Sequence, residues 1–431
     1  MVPLFLRTWG TQVYGEWLAL SAIPAYLALS DFGFGPVAAN RIALLAGANG
    51  KSAAVKTLHT IWTMQVLLAL VIVSLAVVAA TFLPLQSWLS ITAFGATDLR
   101  IVLVGLTAYV MANMFSGVVQ AIYRAELRNA RGMLIANSVR LAEVLGTMAV
   151  LFAGGGVRAM IGLMLAARLL SLLVLLWDAS RMRSQLSIGV RELCWSELRA
   201  LGRPATGHLG LALGGALQLQ GFLLAVSHGL GPIAVVQYSV LRTATRFCVQ
   251  LILVINGAIY PEFTTLVATK AFEKARELHR LAVQGSAAIS AAYCVALLCI
   301  SPILIPTWTG GRVQNDPLLL GILGVAVVLG CCWSTSSVVL SSTNNHARLG
   351  WVYSMAAAGS LAAGVVFSWW GGVWSLAAAL AAGEFAVLLY VFGASCHLLG
   401  DRRVNALGDI LTLKTFRRWM GAPRAIWAFS R

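Results

Sequence analysis

The chain has 431 residues, of which 59% are hydrophobic and 11% are charged. A soluble domain carries about 25% charged residues, so this composition excludes an ordinary soluble globular protein. The 31 Lys and Arg residues outnumber the 15 Asp and Glu residues. They lie in short gaps between apolar runs, which indicates membrane topology rather than nucleic-acid binding.

Apolar runs of about 20 residues, the length that crosses a bilayer as a helix, occur eleven times. The sequence therefore predicts an all-α, multi-pass membrane protein. In chain order the predicted spans cover residues 13–38, 58–83, 100–122, 134–153, 157–177, 206–226, 234–258, 282–305, 317–341, 350–370 and 373–396.

The basic residues favour one side of the membrane. Alternate gaps and the C-terminal tail hold 23 of the 31 basic residues, whereas the other side has only Arg7, Arg100, Arg158 and Arg312. By the positive-inside rule the basic side, including the C-terminus, is cytoplasmic. Eleven spans then place the N-terminus outside, and Met1–Leu6 is typical of the end of an apolar helix whose beginning is missing.

Three short sequence motifs of the first half of the chain recur in the second half, in the same order and at a nearly constant spacing. The segment Lys56-Thr57-Leu58-His59 recurs as Arg276-Glu277-Leu278-His279, Tyr14 as Tyr238, and Ala130-Arg131 as Ala347-Arg348. Such a repeat is typical of a transporter built from two related halves. We predict two helical bundles, residues 1–200 and 201–400, that divide at the basic segment "RELCWSELRALGRP".

The remaining residues, 401–431, form a basic tail with interspersed aromatic and aliphatic side chains. This pattern predicts an amphipathic segment on the anionic inner leaflet, in contact with membrane lipids. The competing interpretation is a docking site for a glycosyltransferase or polymerase.

Long stretches resemble a known family. "YGEWLALSAIPAYLALSDFGFGPVAANRIA" looks like the second helix and the following cytoplasmic segment of the oligosaccharide flippases (polysaccharide transporters) of the multidrug/oligosaccharidyl-lipid/polysaccharide exporter superfamily. "GLGPIAVVQYSVLRTATRF" and "AIYPEFTTLVATKAFEKARELHR" resemble the start of the family's second half. Family members have 12 or 14 helices, so a complete fold of this kind would have twelve rather than eleven.

This resemblance implies the function. The expected cargo is an undecaprenyl-pyrophosphate-linked oligosaccharide, moved across the bacterial cytoplasmic (inner) membrane by alternating access of a monomer. Two alternatives keep the fold, namely a multidrug exporter and a peptidoglycan-precursor flippase. A polymerase or ligase of the same pathway is a further alternative, disfavoured by the short outer gaps.

Ionisable residues deep in the spans are the candidate site residues, because each costs about 2.5–3.5 kcal/mol to insert. Arg242 and Arg246 stand four residues apart on one helical face, where guanidinium groups would suit a diphosphate. The alternative is that they bond helix carbonyls or reach the interface. Arg168 is a third candidate for substrate binding.

Two glutamates are candidates for ion coupling. Glu143 lies three residues after Arg140, a spacing that predicts a salt bridge within the helix, with substrate contact by Arg140 as the alternative. Glu384 has no basic neighbour in its own span, so it is either protonated or paired with an arginine of another helix.

Two amides and a helix break complete the predicted site. Gln218 and Gln220 carry amides into the sixth span, where they contact sugar hydroxyls or neighbouring helices. Asp31, Gly33, Gly35 and Pro36 predict a broken helix, either a hinge or a plain helix end.

The sequence predicts a transporter with no catalytic residues, no metal site and no cofactor. The cysteines lack metal-ligand spacing. The segment "GANGKS" has Leu45 where a phosphate loop requires its first glycine.

Overall fold

The computed structural model describes residues 1–47, 50–89, 91–182, 186, 188–189, 194–342 and 347–401. These residues form thirteen α-helices and no strand, which confirms the all-α membrane fold. The predicted tail beyond residue 401 lies outside the described residues, as do the first three residues, 191–193, of the basic segment.

Nine helices precede residue 217. They are α1 Val2–Leu20, α2 Ile23–Leu27, α3 Phe34–Gly47, α4 Lys51–Phe82, α5 Leu85–Leu89, α6 Ala96–Ala125, α7 Asn129–Phe152, α8 Val157–Arg181 and α9 Trp195–Ala216. A 3₁₀ turn, Ala28–Asp31, lies between α2 and α3.

Four long helices follow. A π-helix, Leu217–Gly221, leads into α10 Phe222–Ala268, α11 Phe272–Thr309, α12 Pro317–Ser342 and α13 Ala347–Leu398. The α4 helix exposes Leu67, Leu70, Val71 and Leu75, as expected for a helix that faces lipid.

The chain divides into two compact units. The first contains Met1–Ala216 with Gly231–Val236, and the second contains Leu217–Leu230 with the chain from Gln237 onward. The predicted boundary near residue 200 falls inside α9, which continues through Pro204. A basic, proline-containing stretch is therefore not a linker here, because its residues extend a helix.

Two glycines reverse the chain in the same way. Gly10 has φ 77° and ψ 173°, and Gly231 has φ 82° and ψ 174°, a conformation that L side chains rarely adopt. Phe5 stacks on Tyr14 across the first reversal, with ring centroids 5.1 Å apart. The two glycines lie 221 residues apart. At that offset Tyr238 corresponds to Trp17, which revises the predicted match with Tyr14.

The reversals explain the span count. Among the described residues, eight helices are long and apolar enough to cross a membrane, and the bent pair Val2–Asp31 and Phe34–Ala46 is a ninth candidate. Two of the eight contain a reversal, at Gly231 and at Gly372. Gly383 packs against Ser360 across the second one. Counting both arms of these two helices, together with the bent pair, gives the eleven spans that the sequence predicts.

Buried carboxylates fix the ends of the first unit. Glu16 is 4% exposed and accepts hydrogen bonds from the backbone N–H groups of Thr92 and Ala93, at 3.1 and 2.8 Å. At the other end Asp178 accepts from Arg131 at 2.6 Å and from Tyr123 at 2.9 Å. Each carboxylate therefore has the partners that a buried charge requires.

A glycine substitution tests the packing in the first unit. A Cβ on Gly15 would overlap the backbone carbonyl of Pro232. We expect Gly15→Ala to lower the free energy of unfolding by about 1–3 kcal/mol, because backbone cannot move aside cheaply. The measurement is the thermal unfolding midpoint of the purified protein in detergent.

The matched control is Gly117→Ala in α6, where a Cβ would meet nothing within 4 Å. This variant should unfold at the same temperature as the wild type or above it, because alanine favours the helix by about 0.5–1 kcal/mol. Equal midpoints for the two variants would contradict the packing of Gly15.

Candidate functional site

The second unit contains a polar cluster that begins at the π-helix. A π-helix widens the backbone and leaves carbonyl groups without their usual helical donors. Arg242 of α10 donates to two of these carbonyls, that of Gln218 at 2.5 Å and that of Leu219 at 2.8 Å. Arg242 is 7% exposed. It therefore adopts the second of its two predicted arrangements, bonding to helix carbonyls.

Gln218 is the centre of this cluster. Its side-chain amide donates to Glu384 at 2.5 Å, and its side-chain oxygen accepts from the hydroxyl of Tyr353, also at 2.5 Å. The second oxygen of Glu384 accepts from the indole N–H of Trp333 at 2.5 Å. Glu384 is 9% exposed, so its carboxylate is enclosed by neutral donors rather than by water.

Arg246 lies one helical turn beyond Arg242 and differs from it in having no such contacts. Its side chain is half-buried, and within the described part of the chain no hydrogen bond or ion pair involves it. The guanidinium lies within electrostatic range of Arg242, Tyr353 and Glu384. Arg246 is thus a cation inside an apolar helix, and its guanidinium N–H groups are free to bind an anion.

Gln220, the second predicted amide, is half-buried in the π-helix next to the Arg242 contacts. The structure therefore joins Gln218, Arg242 and Glu384 by hydrogen bonds and places Arg246 within electrostatic range of Arg242 and Glu384. Gln220 is near this cluster only along the π-helix. The sequence predicted these residues from three separate spans.

A second cluster lies in the first unit. Arg168 of α8 pairs with Glu143 of α7 at 3.3 Å, and the two side chains are 14% and 13% exposed. The hydroxyl of Tyr109 on α6 donates to Glu143 at 3.2 Å, and the Arg168 guanidinium lies 5.1 Å from the centre of the same ring. This cluster joins three helices within one unit.

The predicted Arg140–Glu143 salt bridge is wrong. Arg140 is exposed, and Glu143 pairs with Arg168 instead. Helical side chains lean toward the N-terminus, so Arg140 leans away from an acid that follows it by three residues. A basic residue on a packed neighbouring helix is the better partner.

The predicted broken helix is present. The 3₁₀ turn ends at Asp31, Phe32 and Gly33 adopt left-handed conformations, and the helices on either side are bent by 49°. Pro36 lies in the first turn of α3, where the missing N–H costs nothing. Whether this break acts as a hinge stays a prediction.

The sequence pattern did not indicate several of the polar side chains that form these clusters. Glu16 and Asp178 lie at span ends, whereas Tyr109, Trp333 and Tyr353 look like ordinary aromatic residues of apolar helices. The signal that could have found them is the need of each buried glutamate for donors from other helices. Within the described residues no group of three or more His, Cys, Asp or Glu side chains could hold a metal ion.

A double-mutant cycle tests the buried pair of the first unit. We expect Glu143→Gln to lower the free energy of unfolding by about 3–5 kcal/mol, because it leaves Arg168 charged and unpaired. The double variant Glu143→Gln/Arg168→Gln should recover most of that loss. Denaturant unfolding in detergent measures all three proteins.

Arg140→Gln is the control from the same helix. It should change the unfolding free energy by less than about 0.5 kcal/mol, since Arg140 is exposed. If Arg140→Gln lost as much unfolding free energy as Glu143→Gln, the result would support a salt bridge between Arg140 and Glu143 and contradict the structure.

No family model and no curated protein matches this sequence. Solved structures do share its fold. One is the "inward-facing conformation of a multidrug resistance MATE family transporter of the MOP superfamily", with a TM-score of 0.74 and 16% identity over 93% of this chain and 95% of the other.

A second is the "lipid II flippase MurJ, inward closed conformation", with a TM-score of 0.69 and 13% identity over 95% of this chain and 88% of the other. A third is a MOP superfamily transporter from Pyrococcus furiosus, with a TM-score of 0.63 and 15% identity over 90% of both chains. The chain therefore has the fold of the MOP superfamily transporters.

Proposed function

We propose that this protein is a flippase that moves a polyprenyl-pyrophosphate-linked oligosaccharide across the bacterial cytoplasmic membrane. The observation that carries the proposal is Arg246, a guanidinium inside an apolar helix with no hydrogen bond or ion pair in the described chain. Inserting an arginine side chain into the membrane costs free energy, so an arginine that makes no structural contact there is expected to serve a function. Its planar fork of donors matches the oxygens of a diphosphate.

The charge balance of the candidate groups supports an anionic cargo. The ionisable residues deep in the predicted spans are four arginines and two glutamates, and Glu143 is already neutralised by Arg168. An exporter of cations would need an acidic binding surface. We therefore assign the pyrophosphate to Arg246, with Arg242 joining it if it leaves the π-helix carbonyls.

The remaining predicted residues take supporting roles in this proposal. Gln220, half-buried in the π-helix, offers an amide to sugar hydroxyls. Glu384 accepts hydrogen bonds from the Gln218 amide and the Trp333 indole. We assign it to ion coupling, because a proton would neutralise its carboxylate. The protein would act as a monomer. It would move the cargo by exposing these groups first to the inner leaflet and then to the outer leaflet.

A second candidate keeps the same groups with another cargo. The structural similarity to a lipid II flippase favours a peptidoglycan precursor, and the similarity to a multidrug transporter makes a drug exporter the next alternative. Arg246 disfavours a cationic drug, because like charges would repel in the low dielectric of the membrane.

Substitution of Arg246 tests the proposal. We expect Arg246→Ala to abolish export of the oligosaccharide while the protein is still inserted, because the pyrophosphate loses its counter-charge. Arg246→Lys should keep part of the function, since it retains the charge without the bidentate geometry. Cell-surface polysaccharide and the amount of membrane-inserted protein are measured together.

The matched control is Arg181→Ala, which removes an exposed arginine that stacks on Trp177 with its guanidinium carbon 3.9 Å from the ring centre. This variant should export at the wild-type level. Wild-type surface polysaccharide in the Arg246→Ala strain would refute the assignment of Arg246.

A further inference from the structure

The break between the 3₁₀ turn and α3 holds a carboxylate in an unusual position. Both oxygens of Asp31 lie 3.0 Å from the backbone nitrogen of Gly35 and accept its hydrogen bond. The carboxylate therefore caps the first turn of α3 across the break. It belongs to neither of the two clusters described above.

The backbone at the break favours a single arrangement of this carboxylate. A Cβ on Gly35 would lie 2.7 Å from the Asp31 Oδ2 atom, so only glycine leaves room for the bond. Phe32 has φ 50°, a left-handed conformation that is unfavourable for a bulky side chain. The bond between Asp31 and Gly35 therefore holds a strained segment in place.

Gln65 of α4 offers Asp31 both a hydrogen-bond donor, the amide N–H, and an acceptor, the amide oxygen. Its side chain is 3% exposed and lies within interaction range of Asp31, while its side-chain oxygen has no hydrogen-bond partner. The amide N–H suits an ionised carboxylate, which only accepts. After a half-turn of the amide, the unused oxygen would accept the O–H of a protonated Asp31.

Asp31 lines a cavity at the break. The cavity has a volume of about 430 Å³ and is lined by Asp31, Gly33 and Pro36 on one side and by His208 and Leu209 of α9 on the other. A Cβ on Gly33 would overlap the α9 backbone, so α9 passes directly beside the break.

Among the described residues, charged and titratable groups that could act on Asp31 lie on α9, α3 and α6. His208 is the other titratable residue that lines the cavity. On α3, Arg41 is paired with Glu197 of α9 at 3.0 Å. On α6 the charged residue nearest the same end is Arg124, which is exposed. Neither Arg41 nor Arg124 forms an ion pair with Asp31, and the capping bond from Gly35 depends on the charge of the Asp31 carboxylate itself.

We propose that Asp31 is a proton-binding site and that its protonation releases α3 from the preceding turn. In the ionised state the carboxylate accepts from Gly35 and from Gln65, and the bend is held. A proton on Asp31 weakens the bond from Gly35, because a neutral acceptor replaces a charged one. The O–H is then donated to the free oxygen of Gln65, and Phe32 can relax. This inference is independent of the cargo.

Distance measurements between spin labels test the proposal without any substrate. Labels are placed at Leu44 on α3 and Leu173 on α8, which are 75% and 62% exposed and lie in the same unit. The background variant lacks the seven native cysteines. We expect the wild-type background in lipid nanodiscs to gain a second distance population as the pH falls from about 8 to about 4, the lower limit being close to the usual pKa of an aspartate carboxyl group.

Three variants separate Asp31 from other acids. Asp31→Asn mimics the protonated state and should show the low-pH population at every pH. Gly35→Ala should do the same by displacing the carboxylate. Asp316→Asn removes another capping carboxylate, which accepts from the Leu319 N–H at 2.9 Å, and should keep the wild-type response.

Infrared difference spectra supply a second measurement. The C=O band of a protonated carboxyl group should appear in the wild type with the same midpoint as the distance change and be lost in Asp31→Asn. The proposal is overturned if wild-type distances do not change with pH, if Asp31→Asn responds like the wild type, or if Asp316→Asn abolishes the response equally.

Discussion

A membrane offers no water to the polar groups that its helices carry, so each of them must find a partner within the protein. This constraint organises the whole structure. Where the π-helix leaves carbonyls without donors, Arg242 supplies them. Where Glu384 is buried, the Gln218 amide and the Trp333 indole enclose it.

The first unit follows the same rule with different residues. Glu143 and Arg168 neutralise each other, Asp178 is held by Arg131 and Tyr123, and Glu16 is satisfied by backbone N–H groups. Against this background Arg246 is conspicuous, because its charge enters the membrane without such a partner. The functional assignment rests on that contrast, and the shared transporter fold gives it a context.

Much of the fold could be predicted from the sequence because membrane spans depend on local properties. Apolar length and the alternation of basic gaps locate a span without knowledge of its neighbours. The break at Asp31 was predictable for the same reason, since Gly33, Gly35 and Pro36 act on their own segment. The repeat of two related halves stays a prediction, and the glycine reversals at Gly10 and Gly231 give it a register three residues away from the predicted tyrosine match.

The choice of partners could not be predicted, because it depends on which helices pack together. The spacing of Arg140 and Glu143 favoured a local salt bridge, yet a neighbouring helix presents Arg168 in a better direction. Arg242 and Arg246 look equivalent on one helical face. Only the π-helix, which no local pattern in "LQLQG" indicates, separates the arginine with a structural contact from the one without.

The most direct test of the flippase account is the leaflet that holds the polyprenyl-linked oligosaccharide when the gene is deleted. The account predicts that single repeat units accumulate on the cytoplasmic face of the membrane and that a plasmid-borne copy of the gene restores their transfer. Accumulation of single units on the outer face would contradict the account, because it would place the protein after translocation, as a polymerase or ligase.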